Sequence, residues 1–445
     1  MAVKSPVRKL FQVFLIITVF SILSAAADAQ QIKTINNLNE AISIALKSNS
    51  GIVTAKLDML KAKEKVSEVY SENLLPTLTL NSRFQRAIRK QVFDIFGQKY
   101  EVGSDNSFTN LIDLTESLPV LGTPVFTAIR IADYYSKTQQ QNVTASEIDV
   151  KKKVKSAYYG VLLSKSIVEV NNLTMKNAEE NYIAVEKKYR LGVATEFDYL
   201  RSKVRLDNSI PELSKSERNY EISRKILLNE LGLKDQQDIN VLGELTYDST
   251  EVMQNTDYVI NKIAENYIEV KQLEVLRSIN QELVKIDKAN YLPKLFLFGQ
   301  YTLFASENDG QPIMDYRFNN TLFVGLGLNW NLNLFRNSFK VKQSEIEVKK
   351  NNEQLAQLKQ GLKLRSESAL IAIADAKERI ISRKKTVELA ERALQLANTS
   401  YQAGVINLID VQAAELSLSE SRLAYLQAIY DYQIAKAEIE KLLEQ

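Results

Sequence analysis

"TLFVGLGLNWNLNLF", Thr321 to Phe335, alternates without a break: Leu322, Val324, Leu326, Leu328, Trp330 and Leu332 fall on one side of an extended chain, Gly325, Gly327, Asn329, Asn331 and Asn333 on the other. One face is greasy and the other small or polar. Upstream, "KLFLFGQYTLF" (294–304) sets Leu295, Leu297, Tyr301 and Leu303 against Lys294, Gln300 and Thr302, and the turn-rich "ASENDGQP" lies between the two runs. A half-buried sheet in a soluble domain would give the same alternation. Two features favour membrane strands: each run is near the roughly 9–11 residues that cross a bilayer as a tilted strand, and Tyr301, Phe304, Phe323 and Trp330 suit interfacial girdles.

The pattern occurs twice. "NLLPTLTLNSRF" (73–84) is answered by "NYLPKLFLFGQY" (290–301) at a shift of 217, which also aligns Asn49 with Asn266 and Val53 with Val270. "YRLGVATEFDYL" (189–200) returns as "YQAGVINLIDVQ" (401–412) at a shift of 212, which also aligns Asp198 with Asp410, Tyr220 with Tyr432 and Leu231 with Leu443. The expected organisation is a signal segment over 1–29, a first repeat over 30–245 and a second over 246–445, each reading helix, strand, strand, long helix, tip, helix. In the second repeat the opening helix is expected from Asp257 to Asn290, since Pro293 disfavours helix through the preceding residue. First-copy strands are read in "LTLNSRFQ" and, more weakly, "TNLIDLTESLP".

Two strands per copy make about four per chain, whereas outer-membrane barrels have eight or more. Open sheet edges cannot face lipid. Either other chains close the sheet, three of them supplying about twelve strands, or the sheet is not in a membrane.

Long helices point the same way. From Asn337 to Gln402 there is no Pro and one Gly (Gly361), and a matching run from Pro124 to Leu191 is broken only by Gly160; about 66 residues would reach roughly 100 Å. Such rods need lateral partners. The last helix carries a heptad seam of Val411, Leu418, Tyr425, Tyr432 and Ile439, with Ala414, Ser421, Ala428, Ala435 and Leu442 three residues on. A second apolar row, Ile409, Leu416, Leu423, Tyr430 and Ala437, lies about 140° round the helix. A helix in the wall of a tube has a neighbour on each side and needs two seams; a central helix of an ordinary bundle would also show two.

Lys4, Arg8 and Lys9 precede an apolar run from Leu10 to Leu23 and then "SAAADAQQ", the pattern of a secretory signal peptide cleaved after Ala29, with cleavage near Ala27 the second choice. There is no cysteine and no histidine. Disulfides, thiolate sites, Ser/His and Cys/His catalysis are excluded together, and no cofactor, metal site or enzyme activity is expected. With the signal's charges removed the chain is near neutrality, which gives no indication of a nucleic-acid partner. Gly at 14 and Pro at 7 leave few helix breakers.

Taken together, "LNEAISIALKSNSGIVTAK", "LLPTLTL", "YLPKLFL", "VGLGLNWNLNLF" and the two YxxGVxxxxD segments resemble the TolC-like outer membrane efflux proteins, in order and duplication rather than by any single motif. The resemblance implies a mainly α fold with a transmembrane β-barrel: a trimeric twelve-stranded barrel, four strands per chain, continued by a long α-helical periplasmic tunnel. It implies an exit channel in the outer membrane of a Gram-negative bacterium, working passively with a periplasmic adaptor protein and an inner-membrane pump of RND or ABC type. Drug efflux is the first expectation and type I secretion the second; a secreted coiled-coil scaffold or adhesin that never enters a membrane is the alternative.

By the same resemblance the two YxxGV segments are the helix turns at the tunnel's periplasmic tip. Arg190, Leu191, Gly192, Val193, Ala403, Gly404 and Val405 are then the adaptor-contact candidates, Gly192 and Gly404 suiting a left-handed position where a helix reverses. Asp410 aligns with an aspartate that lines the closed entrance of some relatives, and Tyr401 and Asp198 match a pair that latches neighbouring helices. Departures stand beside these matches: a second acidic position falls at Ala413, the latch's basic member at Ile406, and "LFRNS" (334–338) replaces the usual glycines. Asp198 and Asp410 could equally serve as acidic starts to their helices.

Overall fold

The computed structural model describes residues 33–117, 124–233, 238–247 and 256–444, so the expected signal segment lies outside the described residues. In chain order the elements are β1 (Lys33–Ile35), α1 (Leu38–Ser48), α2 (Ser50–Leu74), β2 (Thr77–Arg86), β3 (Gln91–Ile95), β4 (Gln98–Val102), β5 (Asn106–Ser117), α3 (Val125–Arg190), α4 (Glu196–Leu231) and β6 (Ile239–Val241). There follow α5 (Thr256–Asn266), α6 (Ile268–Ala289), β7 (Lys294–Glu307), a 3-10 turn (Ile313–Asp315), β8 (Asn319–Asn329), α7 (Leu334–Gln402) and α8 (Leu408–Leu443). They form two compact units, each drawing on both halves of the sequence: one from the residues up to Thr54, Ala145–Tyr267 and Leu362 onward, the other from Ala55–Thr144 and Ile268–Gly361.

In the second of these units β2, β5, β7 and β8 make one antiparallel sheet in the order β2-β5-β7-β8, so β2 and β8 are its edges. The register decides which residues share a face. Leu80 pairs with Ile112, Ile112 with Tyr301 and Tyr301 with Leu322, while Leu78 pairs with Leu114, Leu297 with Leu326 and Leu295 with Leu328. Because side chains alternate along a strand, these apolar residues line one face across all four strands. On the edge strands the described residues leave them open: Leu78, Leu80, Leu322, Val324 and Leu326 are each about two-thirds exposed or more. The opposite face carries Thr79, Asp113, Thr115, Lys294, Gln300, Asn329, Gly325 and Gly327.

Two expected girdle aromatics are placed differently. Phe323 pairs with Gln300, and Phe304 shares the parity of Lys294, so both belong to the polar face; Tyr301 is on the apolar face as expected. The polar face holds two further rings, Phe296 and Phe298, over the glycines of β8, and a Cβ on Gly327 would stand 2.2 Å from the Phe296 ring. Those glycines are there because the rings occupy the space. β8 ends at Asn329 rather than running on through Leu332, and the Trp330 indole N–H donates to the Tyr291 carbonyl at 3.1 Å. α7 starts at Leu334, ahead of the expected Asn337, and runs 69 residues to Gln402.

The single helix expected from Asp257 to Asn290 is two, α5 and α6, broken at Tyr267, which is buried. Its counterpart breaks between α1 and α2 at Asn49, so the aligned pair Asn49 and Asn266 fall at the same interruption. Asn49 explains its own break: its backbone is extended, its side-chain carbonyl accepts the Gly51 N–H at 2.9 Å, and its amide donates to the Glu230 carbonyl at 2.8 Å. That second bond docks the α1–α2 corner on the end of α4, where Gly232 adopts φ 70°.

Two small sheets were not expected. β3 and β4 form a hairpin turning at Phe96 (φ 56°) and Gly97 (φ 83°), a two-residue turn of positive φ that here lacks the usual Asn-Gly signal. In the first unit β1 and β6 pair in parallel and bury Ile35, Ile239 and Val241 completely. Around that core α3 and α8 are tied by Lys151–Glu444 at 2.9 Å, Lys155–Glu440 at 2.5 Å and Lys441–Asp149 at 2.9 Å. Among the described residues no helix is long and apolar enough to cross a membrane.

Candidate functional site

The two YxxGV segments form helix reversals of one design. α3 ends as Gly192 (φ 73°) donates to Tyr189 at 2.9 Å and Val193 to Lys188 at 2.8 Å; α7 ends as Gly404 (φ 73°) donates to Tyr401 at 3.0 Å and Val405 to Ser400 at 2.9 Å. This is the paired bonding that closes a helix through a left-handed residue, and only glycine takes it without strain. A few residues on, the next helix begins. Thr195 caps α4, its hydroxyl accepting the Asp198 N–H at 3.1 Å, and the Asn407 N–H donates to the Asp410 carboxylate at 3.2 Å at the start of α8.

Both aspartates therefore serve as helix starts. Asp198 also takes the Thr195 hydroxyl at 2.7 Å, and Asp410 is solvent-exposed. Tyr401 meets a different partner: Lys188 approaches with Nζ 3.3 Å from the phenol oxygen and 5.0 Å from the ring centroid. The basic neighbour of Tyr401 therefore comes from α3 and not from position 406. The remaining tip candidates lie open, Leu191, Val193 and Val405 each about three-quarters exposed, and Arg190 is held by Glu186 at 2.8 Å.

Aromatic and charged contacts brace the tip from behind. Tyr199 stacks on Tyr189 with centroids 5.1 Å apart and shares a hydrogen bond with the Tyr182 hydroxyl at 3.5 Å, which pushes the Tyr182 phenol up to about 12. Arg205 donates to the Gln412 carbonyl at 3.0 Å and stands 2.6 Å from the buried Glu415 carboxylate, at an angle that makes an ion pair rather than a hydrogen bond. Asn181 completes the group, donating to Glu415 at 3.2 Å. None of this was legible in the sequence, since the partners come from three helices.

Beside this bracing lies an open groove of about 620 Å³ between α4 and α8, lined on the α8 side by Ile409, Ala413, Leu416 and Leu423. The first heptad seam of α8 is buried within the chain at Val411, Leu418, Ser421, Ala428, Tyr432, Ile439 and Leu442. The second row divides. Ala437 is buried, whereas Ile409 and Leu416 are exposed.

The chain combines a four-stranded antiparallel sheet, apolar on one face, with helices of up to 69 residues that reverse at matched glycine caps. Residues 259–445 match the family described as "Outer membrane efflux protein". Nodulation protein T of Rhizobium leguminosarum bv. viciae is 21% identical over 301 residues, which are 66% of this chain and 60% of that protein. The match thus spans less than two-thirds of the relative's length. Among solved structures the fold is similar to the open-state MtrE outer membrane channel of Neisseria gonorrhoeae (18% identity, TM-score 0.72, 92% of this chain and 88% of that one). It is also similar to the outer-membrane channel OprN (16% identity, TM-score 0.72, 92% and 89%).

Proposed function

We propose that the protein is the outer-membrane exit duct of an efflux or type I secretion system. Three copies pool their four-stranded sheets into one twelve-stranded barrel and their helices into a periplasmic tunnel. The two sequence repeats, 30–245 and 246–445, each contribute two strands and two wall helices. Substrate delivered by an inner-membrane pump, of RND or ABC type, passes through a periplasmic adaptor into the tunnel and leaves passively, without chemistry by this chain.

The observation that carries this reading is the sheet: one face is apolar across all four strands and open on β2 and β8, the two edges, which have a neighbour on one side only. In lipid such edges demand partners. The exposed lower half of the second α8 seam, Ile409 and Leu416 beside the open groove, gives the helices a matching unpartnered flank. Leu191, Val193 and Val405 at the reversals supply apolar knobs for the adaptor, together with Arg190, Gly192, Ala403 and Gly404.

The test is mass and solubility. Purified protein is expected to partition with outer membrane, to require detergent and to scatter light as a trimer; a water-soluble monomer would select the secreted scaffold instead. Adaptor docking is tested separately by Gly404→Trp, where nothing lies within 4 Å of an added Cβ and the left-handed backbone costs about 1 kcal/mol. Loss of resistance with assembly intact is expected, and full resistance would remove the tip from the adaptor interface.

A further inference from the structure

On the polar face of the sheet, where β7 and β8 meet the start of α7, there is a cavity of about 510 Å³. Three cations line it: Lys294 at the first position of β7, and Arg336 and Lys340 one turn apart on α7. Asn329, at the end of β8, and Asn331 and Asn333, in the segment that leads into the helix, line it too. Among the described residues no carboxylate lines the cavity. Among the described residues none of the three cations has an ion-pair partner. Asp113 accepts the Thr115 hydroxyl at 3.3 Å, Asp287 accepts the Ser344 hydroxyl and Glu345 pairs with Lys288 at 3.0 Å.

The placement of Arg336 makes the imbalance sharper. α7 has no acidic residue in its first turn. A helix start already carries about half a positive charge, so acidic residues are favoured there and a cation is not. Arg336 sits in that first turn, with Lys340 behind it and Lys294 across the cavity. Three like charges and a helix start converging on one open space, with asparagine amides as further donors, form a positive focus that an oxyanion would relieve.

We propose that this cavity binds a phosphate-bearing anion, with Arg336 as the fork-shaped donor and Lys294 and Lys340 as flanking point charges. The anion is a phosphorylated small molecule or the phosphate of a lipid headgroup; both present the same oxyanion. The proposal does not depend on the exit-duct reading, because the six residues are brought together within one chain.

The experiment uses the full chain purified in detergent and titrated with inorganic pyrophosphate by calorimetry at low and high salt. Saturable binding of one pyrophosphate per chain is expected, weakened by salt. Lys294→Gln combined with Arg336→Gln should weaken it about ten-fold or more, the scale of losing a charged hydrogen bond. Lys99→Gln, on the distant hairpin, should leave it unchanged. If the double variant fails to fold, Lys340→Gln alone is the substitute. In parallel, native mass spectrometry of protein released from phosphatidylglycerol nanodiscs identifies the source: a lipid retained by wild type and lost in the variant marks a headgroup, and pyrophosphate binding without retained lipid marks a soluble ligand. No saturable pyrophosphate binding and no retained lipid, or binding equal in wild type and variant, would overturn the assignment.

Discussion

Lys188 reaches Tyr401 with its ammonium 3.3 Å from the phenol oxygen and over the ring, so the last turn of α3 is fastened to the last turn of α7. An exposed cation–π contact is worth about 0.5–1 kcal/mol, a factor of roughly two to five in an opening equilibrium. In the duct reading, Lys188→Met should raise the open probability of single channels in planar bilayers by that factor. Unchanged gating would mean the contact is incidental.

Gly232 and Gly404 both have φ near +70°, yet they should respond very differently to alanine. At Gly404 nothing lies within 4 Å of an added Cβ, so the cost is the left-handed backbone alone, about 1 kcal/mol. At Gly232 the same atom would stand 2.2 Å from the Ser48 carbonyl oxygen, part of a backbone that the Asn49–Glu230 bond pins in place. Gly232→Ala should therefore lower the unfolding midpoint well beyond Gly404→Ala. Equal effects in denaturant melts would show that the α1–α2 corner yields.

Arg205 is the bracing residue whose loss should be felt most at the tip. Its partner Glu415 has a side chain only 12% exposed, so Arg205→Met leaves a buried charge with Asn181 as its remaining donor. Breaking such a pair costs about 3–5 kcal/mol. Hydrogen exchange should show early opening of the amides around Gln412 while those near the β1–β6 pair keep their protection. Should the tip amides stay protected, the ion pair is not what holds α4 to α8.

Long-period features of this fold were readable from the sequence because they repeat. The alternation of 294–304 and 321–335 marks β7 and β8, the breaker-free runs mark α3 and α7 to within a few residues, and the YxxGV copies mark both reversals. Features set by a single distant partner left no periodic trace. β1 and β6 are three residues each and pair only because the chain returns to Lys33 at Ile239. Phe296 and Phe298 continue an apolar run in sequence but sit on the polar face, where the glycines of β8 make room for them. At the tip, Lys188 could not be recognised as a partner of Tyr401 from a motif that places the basic residue at position 406, since it comes from a different helix.

Acid should loosen the first unit through its carboxylate ladder. Burial alone would push the Glu438 carboxyl up, but Lys152 and Arg365, each 2.5 Å away, outweigh it and hold the group below the usual range. Asp149 behaves likewise, with Lys441 and Lys153 overcoming its burial. A carboxyl depressed on folding adds stability at pH values above its unfolded pKa, about 4, and that contribution disappears as pH falls through the folded value. The unfolding midpoint, followed by circular dichroism, should accordingly be flat from neutrality to about pH 5 and drop below about pH 4. Glu438→Gln should lower the midpoint at neutral pH, because Lys152 and Arg365 are left facing each other, and should make the acid drop shallower. A variant with the wild-type acid slope would place the sensitivity in other carboxylates.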